Sequence, residues 1–188
     1  MFFMTAVALA QSAQDKSNCL ERNTVSNDQI IASCTSLIQL GGLGGQELAA
    51  AYFSRAIAHI VKTQPDLAIQ DLDQVVKLTP DDATALDERG AAYFSKGDFD
   101  HALADFNQSI RLNPKDFTAY NNRGTIYYAL NQWANAVADF TSAIGLDPNV
   151  ARIYLSRAFA LDRLGQQDRA KADYAKAIRL DPSLERRQ

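Results

Sequence analysis

From Ala49 to Leu184, apolar residues return at spacings of three and four through paired segments, and each pair closes on a proline. That spacing gives each segment one apolar stripe and predicts amphipathic helices. The clearest pair is Ala83 to Asp116, ATALDERGAAYFSKGDFDHALADFNQSIRLNPKD. Gly97-Asp98, Asn131-Gln132 and Gly165-Gln166 divide units into halves, as turn-forming pairs do. Thr79-Pro80, Asn113-Pro114, Asp147-Pro148 and Asp181-Pro182 end units, because proline cannot continue a helix. Pro65 instead opens a second helix, where its missing N–H is harmless. The four closing prolines are evenly spaced, and their interval is one that helical repeat arrays use. The chain therefore reads as four in-phase helix-turn-helix copies: 49–82, 83–116, 117–150 and 151–184.

Residues 11–48 fall on the same frame less plainly. Asp28 to Leu40, DQIIASCTSLIQL, aligns with Asp100 to Leu112, DHALADFNQSIRL. Cys34 then falls where Phe106 falls, at an inward position of a second helix, and Cys19 lies in the preceding helix, from Gln11 to about Thr24. This is a degenerate N-terminal hairpin, followed by a glycine-rich turn, Gly41 to Gly45, read as longer than the other turns. The hairpin geometry permits a Cys19–Cys34 disulfide, and the alternative is two buried thiols. The absence of a nearby histidine and of Cys-x-x-Cys spacing argues against metal.

The columns of the repeat resemble the tetratricopeptide repeat (TPR) family. The eighth column is Ala56, Gly90, Gly124, Ala158 and the twentieth Ala68, Ala102, Ala136, Ala170, small residues that let paired helices approach. Tyr52, Leu86, Tyr120, Tyr154 and Leu72, Phe106, Phe140, Tyr174 fill the space between. The resemblance implies an all-α fold, a right-handed α-solenoid of four regular units plus the degenerate hairpin. Arg55, Arg89, Arg123 and Arg157 recur at the seventh column, and Asp71, Asp105, Asp139 and Asp173 at the twenty-third. Residues repeated in step serve the stacking of the units, so these read as a structural ladder of Arg–Asp pairs rather than as chemistry.

Composition changes this picture little. Of 188 residues 22% are charged and the net charge is −3, which argues against nucleic acid as a partner. No apolar run reaches the roughly 18–20 residues that span a bilayer, so stable membrane insertion is not expected. Residues 1–10, MFFMTAVALA, resemble the remnant of a signal peptide, with an apolar run and a small-x-small ending but no basic residue before Lys16. A periplasmic or secreted protein is one reading; a cytoplasmic one with an ordinary N-terminus is the other.

Motifs for catalysis are missing: Gly-x-Ser-x-Gly, His-Glu-x-x-His and a phosphate-cradling glycine loop do not occur. His59 shares a packing column with Tyr93 and Tyr127, whereas His101 is a surface position. Neither an enzyme nor a cofactor is expected. The TPR resemblance implies instead a concave groove lined by the second, fifth, ninth, twelfth and thirteenth columns of the first helices. The candidates there, with Asn122 beside them, are Phe53, Ile57, Asp87, Phe94, Asn121, Thr125, Tyr128, Arg152, Leu155, Phe159 and Arg163. Aromatic and aliphatic anchors beside hydrogen-bonding groups suit a peptide or helix of a partner protein. For Phe53, Ile57 and Ile60 packing against the first hairpin is the competing reading. A clamp for a C-terminal carboxylate, as in chaperone-binding members, is matched by Asn122 and Arg152 but not by Asp87, Ala91 and Ser156.

Phe99 and Leu103, then Trp133 and Val137, occupy positions facing the next repeat, and in the fourth copy these become Gln167 and Lys171. The array is therefore expected to close there, with residues 185–188 as a flexible tail and Tyr174, Ile178 and Leu184 left partly exposed. The sequence reads as a non-catalytic adaptor, a monomer or weak homodimer. The alternatives are an assembly subunit associating through its terminal hairpins, or a regulatory module of an enzyme complex.

Overall fold

The computed structural model describes residues 13–21 and 25–187. Residues 1–10, read above as a signal-peptide remnant, lie outside the described residues. The chain is all-helical, and the helices pack in consecutive pairs. They fall into two compact units, one up to Asp98 and one from Phe99 onward.

The first unit opens with a helical stretch that ends in a π-helical turn, Ser17–Glu21. It continues with α1 (Asn27–Leu40), α2 (Gly45–Val61), α3 (Pro65–Leu78) and α4 (Ala83–Ser95). The second holds α5 (Phe99–Leu112), α6 (Phe117–Ala129), α7 (Trp133–Leu146), α8 (Ala151–Arg163) and α9 (Gln167–Leu180). A 3-10 segment, Pro182–Arg187, follows, where the sequence reads as a flexible tail from residue 185.

Local chemistry starts and stops these helices where the repeat frame requires. Ser26 and Gln29 form a reciprocal capping box on α1. Asp82 accepts from the Thr84 and Ala85 N–H groups at the start of α4, and Asp116 from Thr118 at the start of α6. Between paired helices one residue per copy takes a left-handed conformation: Thr63 (φ 57°), Gly97 (φ 77°), Asn131 (φ 60°) and Gly165 (φ 74°). That residue reverses the chain, and glycine or asparagine adopts it most easily.

The glycine-rich connection differs from the expected one. Gly41 to Gly44 form the turn, which matches 79–82, 113–116 and 147–150 in length, and Gly45 is already helical. The extra residues lengthen α2 to 17 residues, against 13 in α4, α6 and α8. Glu47 sits in the first turn of α2, where the helix dipole favours a carboxylate, and Lys16 donates to it at 2.6 Å. That added turn joins α2 to the first helical stretch.

Cys19 and Cys34 are disulfide-bonded, their Cα atoms 4.9 Å apart, and both are fully buried. They centre a cluster with Ile30, Leu37, Ala51 and Ala58, which ties the first hairpin to α2. A second cluster, Ala49, Ala56, Leu72, Val75 and Ala85, joins α2, α3 and α4. In the second unit Ala136, Phe140, Ala143, Ile153 and Ala160 join α7 to α8, and Ala158, Leu161 and Ala170 close α8 on α9.

The repeated arginines hold these layers in register. Arg55 makes two hydrogen bonds to Asp71, Arg123 two to Asp139 and Arg157 two to Asp173, at 2.6–2.8 Å. The carboxylate hydrogen bonds hold each of these guanidiniums above its ordinary pKa. The remaining nitrogen, Nη1, reaches back to the preceding second helix. Arg55 finds Thr35, Arg89 finds Asp73, Arg123 finds Asn107 and Arg157 finds Thr141, at 2.7–3.1 Å. Thr35 aligns with Asn107 when Asp28 to Leu40 is laid on Asp100 to Leu112, so α1 stands in the repeat frame that the alignment assigns to it.

Candidate binding surface

In the first unit α2 and α4 lie beside one another. Phe53 is half-buried against the cluster that contains Leu72, Val75 and Ala85, and Ile60 packs on the same cluster. Phe53 also lines a shallow recess of about 390 Å³ with Leu20, Gln46 and Ala50, so its ring is shared between core and surface. Ile57 and Asp87 are half-buried, whereas Phe94 is 36% exposed. Glu88 is half-buried beside Asp87, and burial pushes its carboxyl above the usual range.

In the second unit α6 and α8 form the corresponding face. The Asn121 amide donates to Asn122 Oδ1 at 3.4 Å, and Thr125 Oγ1 donates to the Asn121 carbonyl at 2.8 Å. Both amides therefore keep further hydrogen-bonding capacity for a bound chain. Tyr128 is half-buried against the α7–α8 core. Leu155 is half-buried, Arg152 and Arg163 are exposed, and Phe159 is 46% exposed. The Phe159 ring meets Tyr174 edge-on, with centroids 5.7 Å apart. Tyr174 in turn donates its hydroxyl to Asp162 at 2.8 Å. Burial, together with that hydrogen bond, pushes the phenol up to about 12.

A groove of about 860 Å³ lies along α8, α9 and the 3-10 segment. Leu155, Phe159, Tyr174, Ala177, Ile178 and Leu184 line its apolar part, and Arg152 and Lys171 bring positive charge. Helical periodicity finds the α8 half of this groove. The α9 half follows from the switch to polar Gln167 and Lys171, which leads to the expectation that Tyr174, Ile178 and Leu184 stay partly exposed; all three are half-buried and line the groove.

The two histidines stand apart in role. His59 is buried, with Nδ1 2.8 Å from Gln64 Oε1 and Nε2 4.0 Å from Asp71 Oδ2, a core position held by neighbours. His101 lies exposed on α5. Among the described residues no group of three His, Cys, Asp or Glu side chains is placed to hold a metal ion, and no helix is long and apolar enough to cross a membrane.

Three sequence models of one repeat family match the chain. One described as TPR repeat matches residues 90–131, and two described as tetratricopeptide repeat match 117–150 and 151–184. No curated protein matches the sequence. Among solved structures, "Crystal structure of MamA protein" is 19% identical with a TM-score of 0.79, over 94% of this chain and 96% of that one. "Crystal structure of MamA" is 21% identical with a TM-score of 0.76, over 85% and 91%. "MamA RS-1 ArsTM double mutant" is 19% identical with a TM-score of 0.79, over 93% and 96%. At these identities the likeness is one of fold.

Proposed function

The chain belongs to the tetratricopeptide repeat family, and from its first-helix faces we propose a non-catalytic adaptor that captures a peptide or helix of a partner protein. Tetratricopeptide repeats support a protein-interaction scaffold in general. The finer reading rests on one observation: large aromatic rings on the first helices, Phe94 at 36% and Phe159 at 46% exposure, are left over after the repeat columns have formed the core. Such rings supply contact area at low entropic cost. Asn121, Asn122 and Thr125 add groups that can meet a backbone, and Arg152 and Arg163 can meet a carboxylate. Capture on a preformed helical face needs little rearrangement.

The test is partner recovery by the Phe94→Ala/Tyr128→Ala double variant against wild type. The adaptor reading expects loss of recovery with the fold intact; equal recovery contradicts it. We also place the protein in the periplasm or outside the cell. The Cys19–Cys34 disulfide supports an oxidising compartment. Sequencing the N-terminus of the mature protein checks this: a start at Gln11 supports export, and a cytoplasmic protein starting at Met1 with free thiols opposes it.

A further inference from the structure

Two departures from the repeat frame meet beside Phe53. The first is the added turn of α2, which carries Gln46 at a place that α4, α6 and α8 do not reach. The second is the opening helical stretch, whose Leu20 is held by its neighbour Cys19 through the disulfide to Cys34. Between them and the start of α4 lies the recess of about 390 Å³, within the first unit. Small-ligand clefts hold about 300–1,000 Å³, and at the low end of that range the recess admits one long side chain rather than a helix.

Its walls are apolar at Leu20, Phe53 and Val75 and polar at Gln46, Ser54, Thr79 and Asp82. Ser54 is 5% exposed, and its hydroxyl makes no hydrogen bond to a described residue. A hydroxyl so enclosed costs stability until a partner arrives. Thr79 donates its own proton to the Val75 carbonyl at 2.9 Å, so towards the recess it can only accept. Asp82 accepts from the Thr84 and Ala85 N–H groups through Oδ1 at 3.0 and 3.1 Å, which leaves Oδ2 to accept further. The recess is thus richer in acceptors than in donors, and it carries negative charge.

The described cations of the surrounding elements are committed elsewhere. Lys16 donates to Glu47, Arg55 to Asp71 and Thr35, Lys62 to Asp28, Arg89 to Asp73 and Lys96 to Asp66. Lys77 is exposed on α3, two residues and so about 200° round the helix from Val75. Up to Asp98 the chain holds 12 Asp and Glu against 7 Lys and Arg.

We propose that this recess receives a basic side chain, arginine or lysine, of the peptide that the adaptor captures. The methylene stem lies against Leu20, Phe53 and Val75, as long basic side chains do on apolar surface. The cationic head donates to Asp82, Thr79 and Ser54. Assigning that side chain to a partner rests on the adaptor reading; the chemistry of the recess does not.

The probes are acetyl-arginine amide, acetyl-lysine amide and the neutral isostere acetyl-citrulline amide, titrated into the isotope-labelled full chain and followed by NMR. Saturable shifts of the Ser54, Thr79 and Asp82 amides are expected for the two basic probes, with a Kd of about a millimolar for so small a contact. Citrulline is expected to bind about tenfold more weakly, and arginine likewise to Asp82→Asn, since each loses a charge-assisted hydrogen bond. Asparagine caps a helix as well as aspartate does, so α4 keeps its start. Gln46→Lys changes only an exposed side chain and is expected to weaken binding too, which keeps the test valid if Asp82→Asn unfolds. Phe94→Ala/Tyr128→Ala should titrate as wild type does, so its effect on partner recovery bears on the adaptor reading alone. Shifts confined to other places, equal binding of arginine and citrulline, or indifference of both recess variants would overturn the proposal. Tighter binding to Arg22→Gln would do so as well, since this chain's own arginine is then the occupant. So would light scattering that shows a dimer dissociated by acetyl-arginine amide, since the side chain is then a second copy's.

Discussion

Arg123 clasps Asp139 at two points, Nε and Nη2 donating to both carboxylate oxygens at 2.8 and 2.7 Å, while Nη1 reaches Asn107 at 2.7 Å. One guanidinium thus joins its own hairpin to the helix before it. The Asp139 side chain is 8% exposed, so removing its partner leaves a nearly buried carboxylate unpaired. Arg123→Ala is expected to cost about 3 kcal/mol, read as a lower urea midpoint. Arg123→Lys should recover little, because an ammonium lacks the planar fork. Affinity for a captured partner should stay near wild type. An unchanged midpoint would contradict the ladder.

Thr63 holds the left-handed position that Gly97, Asn131 and Gly165 hold in the other copies, at φ 57°. A β-branched residue is strained there, its Cβ crowding the adjacent carbonyl. Thr63→Gly, or Thr63→Asn, is expected to stabilise the protein by about 1 kcal/mol. Calorimetry checks it; a lower Tm for both variants would show that the turn carries no strain.

Gly124 faces Phe140 so closely that an added Cβ would stand 2.9 Å from the ring Cε1 and 3.2 Å from Asp139 Cβ. Phe140 is 1% exposed and has nowhere to move. Alanine gains about 1 kcal/mol of helix propensity over glycine, and overpacking costs about 1–3 kcal/mol. Gly124→Ala is therefore expected to lower the Tm despite being the better helix former. Ala56 and Ala158 occupy the same column against Leu72 and Tyr174, so the effect belongs to the phenylalanine. A raised Tm would contradict it.

Cys19 and Cys34 close a loop with a sequence separation of 15 residues. In the chain-entropy account such a link stabilises by about 3 kcal/mol. Cys34→Ser, or reduction of the wild type, should lower the Tm, and dithiothreitol should leave Cys34→Ser unaffected. Because the cluster around the disulfide also contains Ala51 and Ala58, hydrogen exchange should rise in α1 and along α2 before it rises in α8. Equal Tm values for reduced and oxidised protein would show that the disulfide is dispensable.

The period and its columns make most of the fold legible, because a repeat states each packing position several times over. The pairing of Cys19 with Cys34 was legible for the same reason, through the alignment of Cys34 with Phe106. The extended α2 was not. The run from Gly41 to Gly45, glycine but for Leu43, reads as a loop, and only the Gly44 turn, with Glu47 held by Lys16, shows that the helix starts at Gly45. The surface divides in the same way. Phe94 and Phe159 stand out because their columns vary between copies, yet Phe53 varies too and packs into a core cluster. The α9 side of the groove was legible too, because Gln167 and Lys171 are polar in columns where Phe99, Leu103, Trp133 and Val137 are apolar, and Tyr174, Ile178 and Leu184 are half-buried as that pattern leads one to expect.

The adaptor reading turns on which face touches the partner, and photocrosslinking measures that directly. Benzophenone-bearing residues placed at Asn121 and at Thr125 report on the first-helix face of the second unit, and one at Ser142, exposed on α7, reports on a second helix. The expected result is crosslinking of a captured partner from Asn121 and Thr125 and not from Ser142. Crosslinks from Ser142 alone, with none from the first-helix positions, would contradict the account.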